Sequence, residues 1–209
     1  MDVLHQRITG APPPHDLAWV DELLGVTAGQ LGALISRDMS MTEEGVAGAL
    51  LTFWLHATGK PEQGAAKSDG PVRMSPGRRY NVVQQHIGRV HAAAKYLQIS
   101  SFHGPRDPRW NVALRRAGAD RIWPAIREVP GITGDMVCVA PDGGALALTL
   151  AVSIEALEAA VQALMTTELL PGEDPALLTG PDRVEVHRLL HSELPDPEKA
   201  LGVVTAVPS

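Results

Sequence analysis

His187 and His191 stand four residues apart, a spacing that shares one helical face and that, with Glu185 or Glu193, could hold a zinc ion. Arg188 occupies the place where a zinc protease of the His-Glu-x-x-His kind carries its general base, so that class is excluded. His86 and His91 are five apart and diverge on a helix, which reads as surface or half-buried positions rather than ligands. His103, beside Ser100 and Ser101, has the chemistry of an acid-base site, but nothing in the sequence supplies its partner. Cys138 lies in an alternating apolar run and reads as an inert core residue. As the single cysteine it excludes an internal disulfide and any multi-cysteine zinc site, and it suits a reducing compartment. There is no phosphate-cradling glycine loop, dinucleotide fingerprint or nucleophile elbow. The expectation is a chain with no catalytic residue, no metal and no cofactor.

Charge is a stronger signal than these clusters. The net charge of -6 divides into -5 over residues 1–59, +9 over 60–127 and -10 over 128–209. Arginine outnumbers lysine ten to three in the basic middle, which favours planar, bidentate contacts with phosphate or carboxylate. One reading is a polyanion-binding segment; the other is an intramolecular match in which these arginines pair with the acidic flanks.

The elements that would carry these groups read as mostly helical in the first two thirds. A Pro-rich arm, residues 1–15, precedes two short helices, one capped by Asp16 and one starting at Thr27. Ser40 and Glu43 stand in capping-box spacing before MTEEGVAGALLTFWLHATG, a third helix. Residues 58–77 lack apolar periodicity and read as a long mobile loop. Ser75-Pro76 reads as the cap of a long helix, in which Val83, Ile87, Val90, Ala94 and Leu97 recur at alternating steps of four and three. Asp107-Pro108 caps another, with Trp110 and Leu114 inward and Arg115 and Arg116 outward.

Beyond residue 128 the pattern changes. Asp135–Ala140 and Ala145–Ala151 are strand-like runs around the turn signal Pro141-Asp142-Gly143-Gly144, and Ser153 caps a helix. Residues 183–190 are ambiguous between strand and helix, and 202–207 could form a terminal strand. The fold expected is a mainly α-helical bundle over 16–128 followed by a small acidic α+β unit over 129–209.

The segment RRYNVVQQHIGRVHAAAKYLQISSFHGPRDPRWNVALRRAGADR resembles the DNA-embracing, SAM-like core-binding domain of tyrosine recombinases and phage integrases. The resemblance rests on a helix bearing QQHIG, a loop ending in Pro-x-Asp-Pro and a helix ending in Leu-Arg-Arg, and it spans about residues 40–121. It implies a grip on duplex DNA through Arg78, Arg79, Gln85, Arg89, Lys95, Arg109, Arg115 and Arg116, with the Gln85 amide facing the major groove. The catalytic half of that family is missing, since the only tyrosines are Tyr80 and Tyr96, both within the resembling segment. What the resemblance implies is therefore a non-catalytic DNA-binding protein.

Residues 17–36 offer a separate helix-turn-helix reading through Val20, Leu24, Gly25, Val26, Leu31 and Leu34, against which TAGQLGALIS carries no basic residue. Two further functions stay open. One is an enzyme or effector-binding domain whose clustered arginines hold an anionic small molecule, which a single pocket gathering Arg106, Arg109 and His103 would favour. The other is an acidic interaction module whose -10 segment docks against basic partners; in the DNA-binding reading the acidic C-terminal unit serves self-association or partner binding. No apolar run is long enough for a membrane helix and the start lacks a signal-peptide pattern, so a cytoplasmic location is the expectation.

Overall fold

The computed structural model describes residues 2–10, 34–41, 47–54, 72–87 and 94–192. Its strands are β1 (Asp2–Gly10), β2 (Leu34–Met41), β3 (Ala47–Trp54), β4 (Val72–Met74), β5 (Arg78–Ile87), β6 (Tyr96–Phe102), β7 (Ile132–Val139), β8 (Ala145–Ala151) and β9 (Arg183–Ser192). Its helices are α1 (Pro108–Ala117), continued by a π-helical turn (Gly118–Ile122) into the short α2 (Trp123–Ile126), and α3 (Ile154–Met165).

These strands form a nine-stranded sheet in the order β3-β2-β9-β6-β8-β7-β5-β1-β4, and β1 also pairs with β3. That last pairing joins the ends, so every strand but β4 lies in one closed ring and the ring has no free edge. All the pairings are antiparallel. Within the ring, β6-α1-β7-β8-α3-β9 makes a β-α-β-β-α-β unit with strand order β9-β6-β8-β7, the ferredoxin-like arrangement.

Alternation sorts the side chains to two cores. Leu97 and Ile99 of β6, Met136 and Cys138 of β7, and Leu146, Leu148 and Leu150 of β8 point into the ring, where Val3 and Tyr80 meet them. The opposite face of the same strands carries the helices. Trp110 and Leu114 of α1 pack on Phe102, Val137 and Ala145, while Ala156 and Leu157 of α3 pack on Ala151, Tyr96 and Ile132.

The local cap and turn signals are used as written. Asp107 Oδ1 accepts from the Arg109 amide at 2.8 Å to start α1, and Ser153 Oγ accepts from the Ala156 amide at 3.2 Å to start α3. The β7–β8 turn closes with the Ala140 amide donating to the Gly144 carbonyl at 2.7 Å, and Gly143 takes φ +83°, a region that favours glycine.

The helical bundle is overturned. The long helix expected after Ser75-Pro76 is two strands, β5 and β6, and Ser75–Gly77 interrupts the run from β4 to β5 instead of capping a helix. A bulge between Val82 and Gln84 explains the misleading periodicity: Tyr80 and Val82 point inward, the register slips by one, and Gln85, opposite Met136, then shares the inward face. A strand whose alternation is broken in this way mimics the steps of an α-helix. The third helix is likewise strand β3. Its run AGALLTFW is almost continuously apolar, a pattern in which periodicity cannot separate a strand from a helix. Residues 183–190, ambiguous in sequence, are strand β9. The two short helices and the helix-turn-helix reading fall mainly outside the described residues, as does the strand expected at 202–207.

Candidate functional site

At one end of the ring the inward positions change from apolar to polar. His5 and Arg7 on β1, Arg78 and Tyr80 on β5, and Arg183, Glu185 and His187 on β9 are each two residues apart, so the pleat turns each set to one side of its strand. Of these, His5, Arg7, Arg78, Tyr80 and Arg183 line a cavity of about 310 Å³ at the mouth of the barrel, together with Ser75, Ser101, Phe102, His103 and Leu146.

Two carboxylates organise the three arginines. Arg7 Nη2 donates to one oxygen of Glu185 at 2.9 Å and Arg183 Nη2 to the other at 2.8 Å, so a single carboxylate spreads two guanidiniums across the opening. Arg78 is held by both oxygens of Asp142, at 2.8 and 2.7 Å, and its guanidinium carbon lies 5.4 Å from the centroid of the Tyr80 ring. The mouth thus carries one more positive charge than negative. The Arg7 strand is pinned through Ser75, whose Oγ accepts from the Arg7 amide at 2.9 Å.

Burial, assisted by the positive charge of Arg7, lowers the His5 pKa to about 4, so its imidazole is neutral at neutral pH. Burial also raises the pKa of the Tyr80 phenol, which keeps its proton. Below them His187 is sealed from solvent, and burial keeps it neutral as well. An anion would meet guanidiniums at the rim and neutral hydrogen-bonding rings further in, beside the apolar surface of Leu146.

The other clusters are less convergent. A shallower hollow of about 470 Å³ beside α1 contains Arg106 and Arg115, but Arg106 is committed to Asp182 at 2.6 Å and to the His103 carbonyl at 2.8 Å, and stacks 4.7 Å over Trp110. A third hollow, about 290 Å³, lies between α1 and residues 172–177, with Arg109 and Arg116 on one wall and Glu173 and Asp174 on the other. Arg106, Arg109 and His103 therefore line three different hollows rather than one. Cys138 is fully buried, which pushes its thiol pKa up and leaves it unreactive. His187 and His191 lie on a strand, and no cluster of metal-ligating side chains occurs among the described residues.

The eight residues expected to grip DNA do not form one face. Arg78 is at the barrel mouth, Arg79 is half-buried on β5, and Gln85 is half-buried opposite Met136. Lys95 is exposed just before β6, Arg109 pairs with Asp107 at 2.8 Å, and Arg116 donates to the Pro171 carbonyl at 3.0 Å. Arg115 is exposed on α1, and Arg89 lies outside the described residues. Much of the basic middle is matched internally, with Arg78 on Asp142, Arg106 on Asp182, Arg121 on Glu173 and Arg127 on Glu128. Those acids all come from the acidic last third. Sequence reasoning passed over His5, Arg7, Tyr80 and Arg183 as site residues. The signal that could have found them is the period of two in His-x-Arg, Arg-x-Tyr and Arg-x-Glu-x-His.

Comparison with solved structures agrees with this architecture. A Fusobacterium nucleatum protein provisionally assigned as a monooxygenase superposes with a TM-score of 0.58 at 6% identity, over 92% of this chain and 94% of its own. A protein described as anthrone oxidase-like gives 0.52 at 12% identity, over 93% and 95%. A major regulator of staphylococcal pathogenesis gives 0.51 at 7% identity, over 90% and 98%. No family model and no curated protein matches the chain. The fold is thus a ferredoxin-like α+β barrel shared with these structures, and it replaces the tyrosine-recombinase resemblance. With the helical bundle gone, the argument for a duplex-DNA partner goes too. Among the described residues no helix is long and apolar enough to cross a membrane.

Proposed function

We propose that this chain binds a small organic anion with an apolar body at the mouth of its barrel, as an enzyme-like small-molecule protein. The observation that supports it is the convergence of Arg7, Arg78 and Arg183 on one cavity whose inner wall is neutral and partly aromatic. Guanidiniums positioned by carboxylates need little reorganisation to receive a carboxylate or phenolate, and the apolar wall rewards a hydrophobic remainder. The test is calorimetric titration with 4-hydroxyphenylacetate at low salt. Wild type is expected to bind it, and Arg7→Ala/Arg183→Ala to weaken binding by tenfold or more. Absence of heat with wild type, or an unchanged affinity in the double variant, overturns the proposal.

A second reading, oxidation of the bound anion by dioxygen, is favoured by a rim suited to stabilising an enolate and by the description of two structural neighbours as monooxygenase and anthrone oxidase-like. For anthrone the balance closes without another reductant: its CH2 becomes C=O, and one dioxygen supplies that oxygen and leaves as water. Dioxygen uptake equal to anthrone consumed, and lost in the arginine double variant, is the expected result. Uptake no faster than in buffer removes this reading and leaves the binding proposal standing.

A further inference from the structure

The ring consists of two halves with one strand plan. In β1, β2, β3 and β5 the fourth strand pairs with the first, the first with the third and the third with the second, and β6, β7, β8 and β9 repeat that plan. The halves join reciprocally, β5 on β7 and β9 on β2, so a pseudo-two-fold axis runs down the barrel. It sets β5 and β9 on opposite sides of the lumen, equally far apart in either direction around the ring. Each opens with an arginine, Arg78 opposite His5 on β1 and Arg183 opposite Ser101 on β6. Two residues further on the symmetry breaks, for β5 carries Tyr80 where β9 carries Glu185. That difference gives the mouth two unlike sides. Glu185 draws the guanidiniums of Arg7 and Arg183 toward β9. On the β5 side Arg78 is turned to Asp142, and the cavity is lined by Tyr80 and His5, diagonal neighbours across the β1–β5 pairing at roughly 7 Å. Neither ring makes a hydrogen bond among the described residues, and neither has a polar atom among those that are buried without a partner, so both polar edges are open to the cavity they line.

Resting on the binding proposal above, we infer that Tyr80 and His5 determine its specificity, by hydrogen-bonding a neutral hydroxyl at one end of an aryl acid whose carboxylate lies on Arg7 and Arg183. The ligand lies across the mouth, from the β9 side to the β5 side, with its apolar body against Leu146 of β8, the strand midway between them. An imidazole and a phenol each offer a donor and an acceptor, so a hydroxyl can bond to both, whereas an apolar end would leave them unpaired. A second carboxylate is not served there. It would find Arg78 already held by Asp142, with the one surplus positive charge of the mouth balanced by the first carboxylate. A para-hydroxylated aryl acid, with its polar ends on opposite sides of a flat apolar ring, has the shape this arrangement takes.

The experiment titrates the full chain by calorimetry with phenylacetate, 4-hydroxyphenylacetate and 4-carboxyphenylacetate, at low salt and neutral pH. Wild type is expected to prefer the hydroxylated acid to phenylacetate by roughly tenfold, the scale of one hydrogen bond, and to bind the dicarboxylate no more tightly than phenylacetate. In Tyr80→Phe, which removes only the hydroxyl group, and in His5→Leu, the ratio of the first two affinities is expected to fall by roughly threefold or more. Equal binding of phenylacetate and 4-hydroxyphenylacetate by wild type, tightest binding of the dicarboxylate, or a ratio that survives either substitution overturns the assignment and leaves the arginine site intact. Failure of all three acids to bind wild type overturns the binding proposal itself. The wild-type comparison holds even where a variant does not fold.

Discussion

Two buried titratable side chains act on stability in opposite directions. Asp135 lies between sheet and helices, where its Oδ1 accepts from the Thr149 hydroxyl at 3.4 Å, and burial raises its pKa from 3.8 to about 7. Its folded form binds a proton that the unfolded chain has released, so its contribution is complete below pH 3.8 and is lost as pH rises through 7. His5 runs the other way: with 6.5 unfolded and about 4 folded, its contribution is present above pH 6.5 and lost as pH falls toward 4. Asp135→Asn keeps an acceptor for Thr149 and abolishes the ionisation. Relative to wild type, its stability measured by urea unfolding is expected to improve between pH 4 and pH 8 by about 1 kcal/mol or more. Parallel pH profiles for the two proteins would show that Asp135 ionises without penalty.

At the scale of elements, the β7–β8 hairpin fixes part of the mouth, because Asp142 in its turn holds Arg78. Gly143 takes φ +83°, and a Cβ there would lie 2.9 Å from the Arg106 carbonyl oxygen. Gly143→Ala is expected to cost about 1–3 kcal/mol in thermal unfolding and to loosen Arg78 along with the turn. An unshifted melting temperature would mean that the turn relaxes freely. This hairpin and the helices that begin at Asp107 and Ser153 were legible because their signals are local, a glycine turn and a side-chain cap. Strand β5 was not, because its bulge sits among residues whose spacing also fits a helix, and the pairing with β7 that decides between them is 50 residues away in sequence.

The whole molecule is organised by closure of the ring. Interior residues come from β1, β5, β6, β7 and β8 and pack in one cluster, so the strands on either side of residue 128 share a core. We expect one cooperative thermal transition, followed alike by far-ultraviolet and tryptophan signals, and Leu148→Ala, at a fully buried position, to lower its stability by about 2–5 kcal/mol. Two resolved transitions would mean that the acidic last third folds separately. The charge pattern belongs to this scale too. A basic middle between acidic ends reads equally well as a polyanion surface or as an internal match, and only the placement of Asp142, Glu173 and Asp182 against Arg78, Arg121 and Arg106 selects the second.

The sequence by itself determined the hairpin, two capped helices and the inert buried cysteine, since each depends on neighbours along the chain or on composition. Tertiary structure alone decided that β5 and β6 are strands, that most described arginines of the basic middle are spent on internal acids, and that Arg7, Arg78 and Arg183 meet at one opening. Those outcomes rest on pairings between distant residues, where register and ring closure, rather than local periodicity, set which side chains face each other.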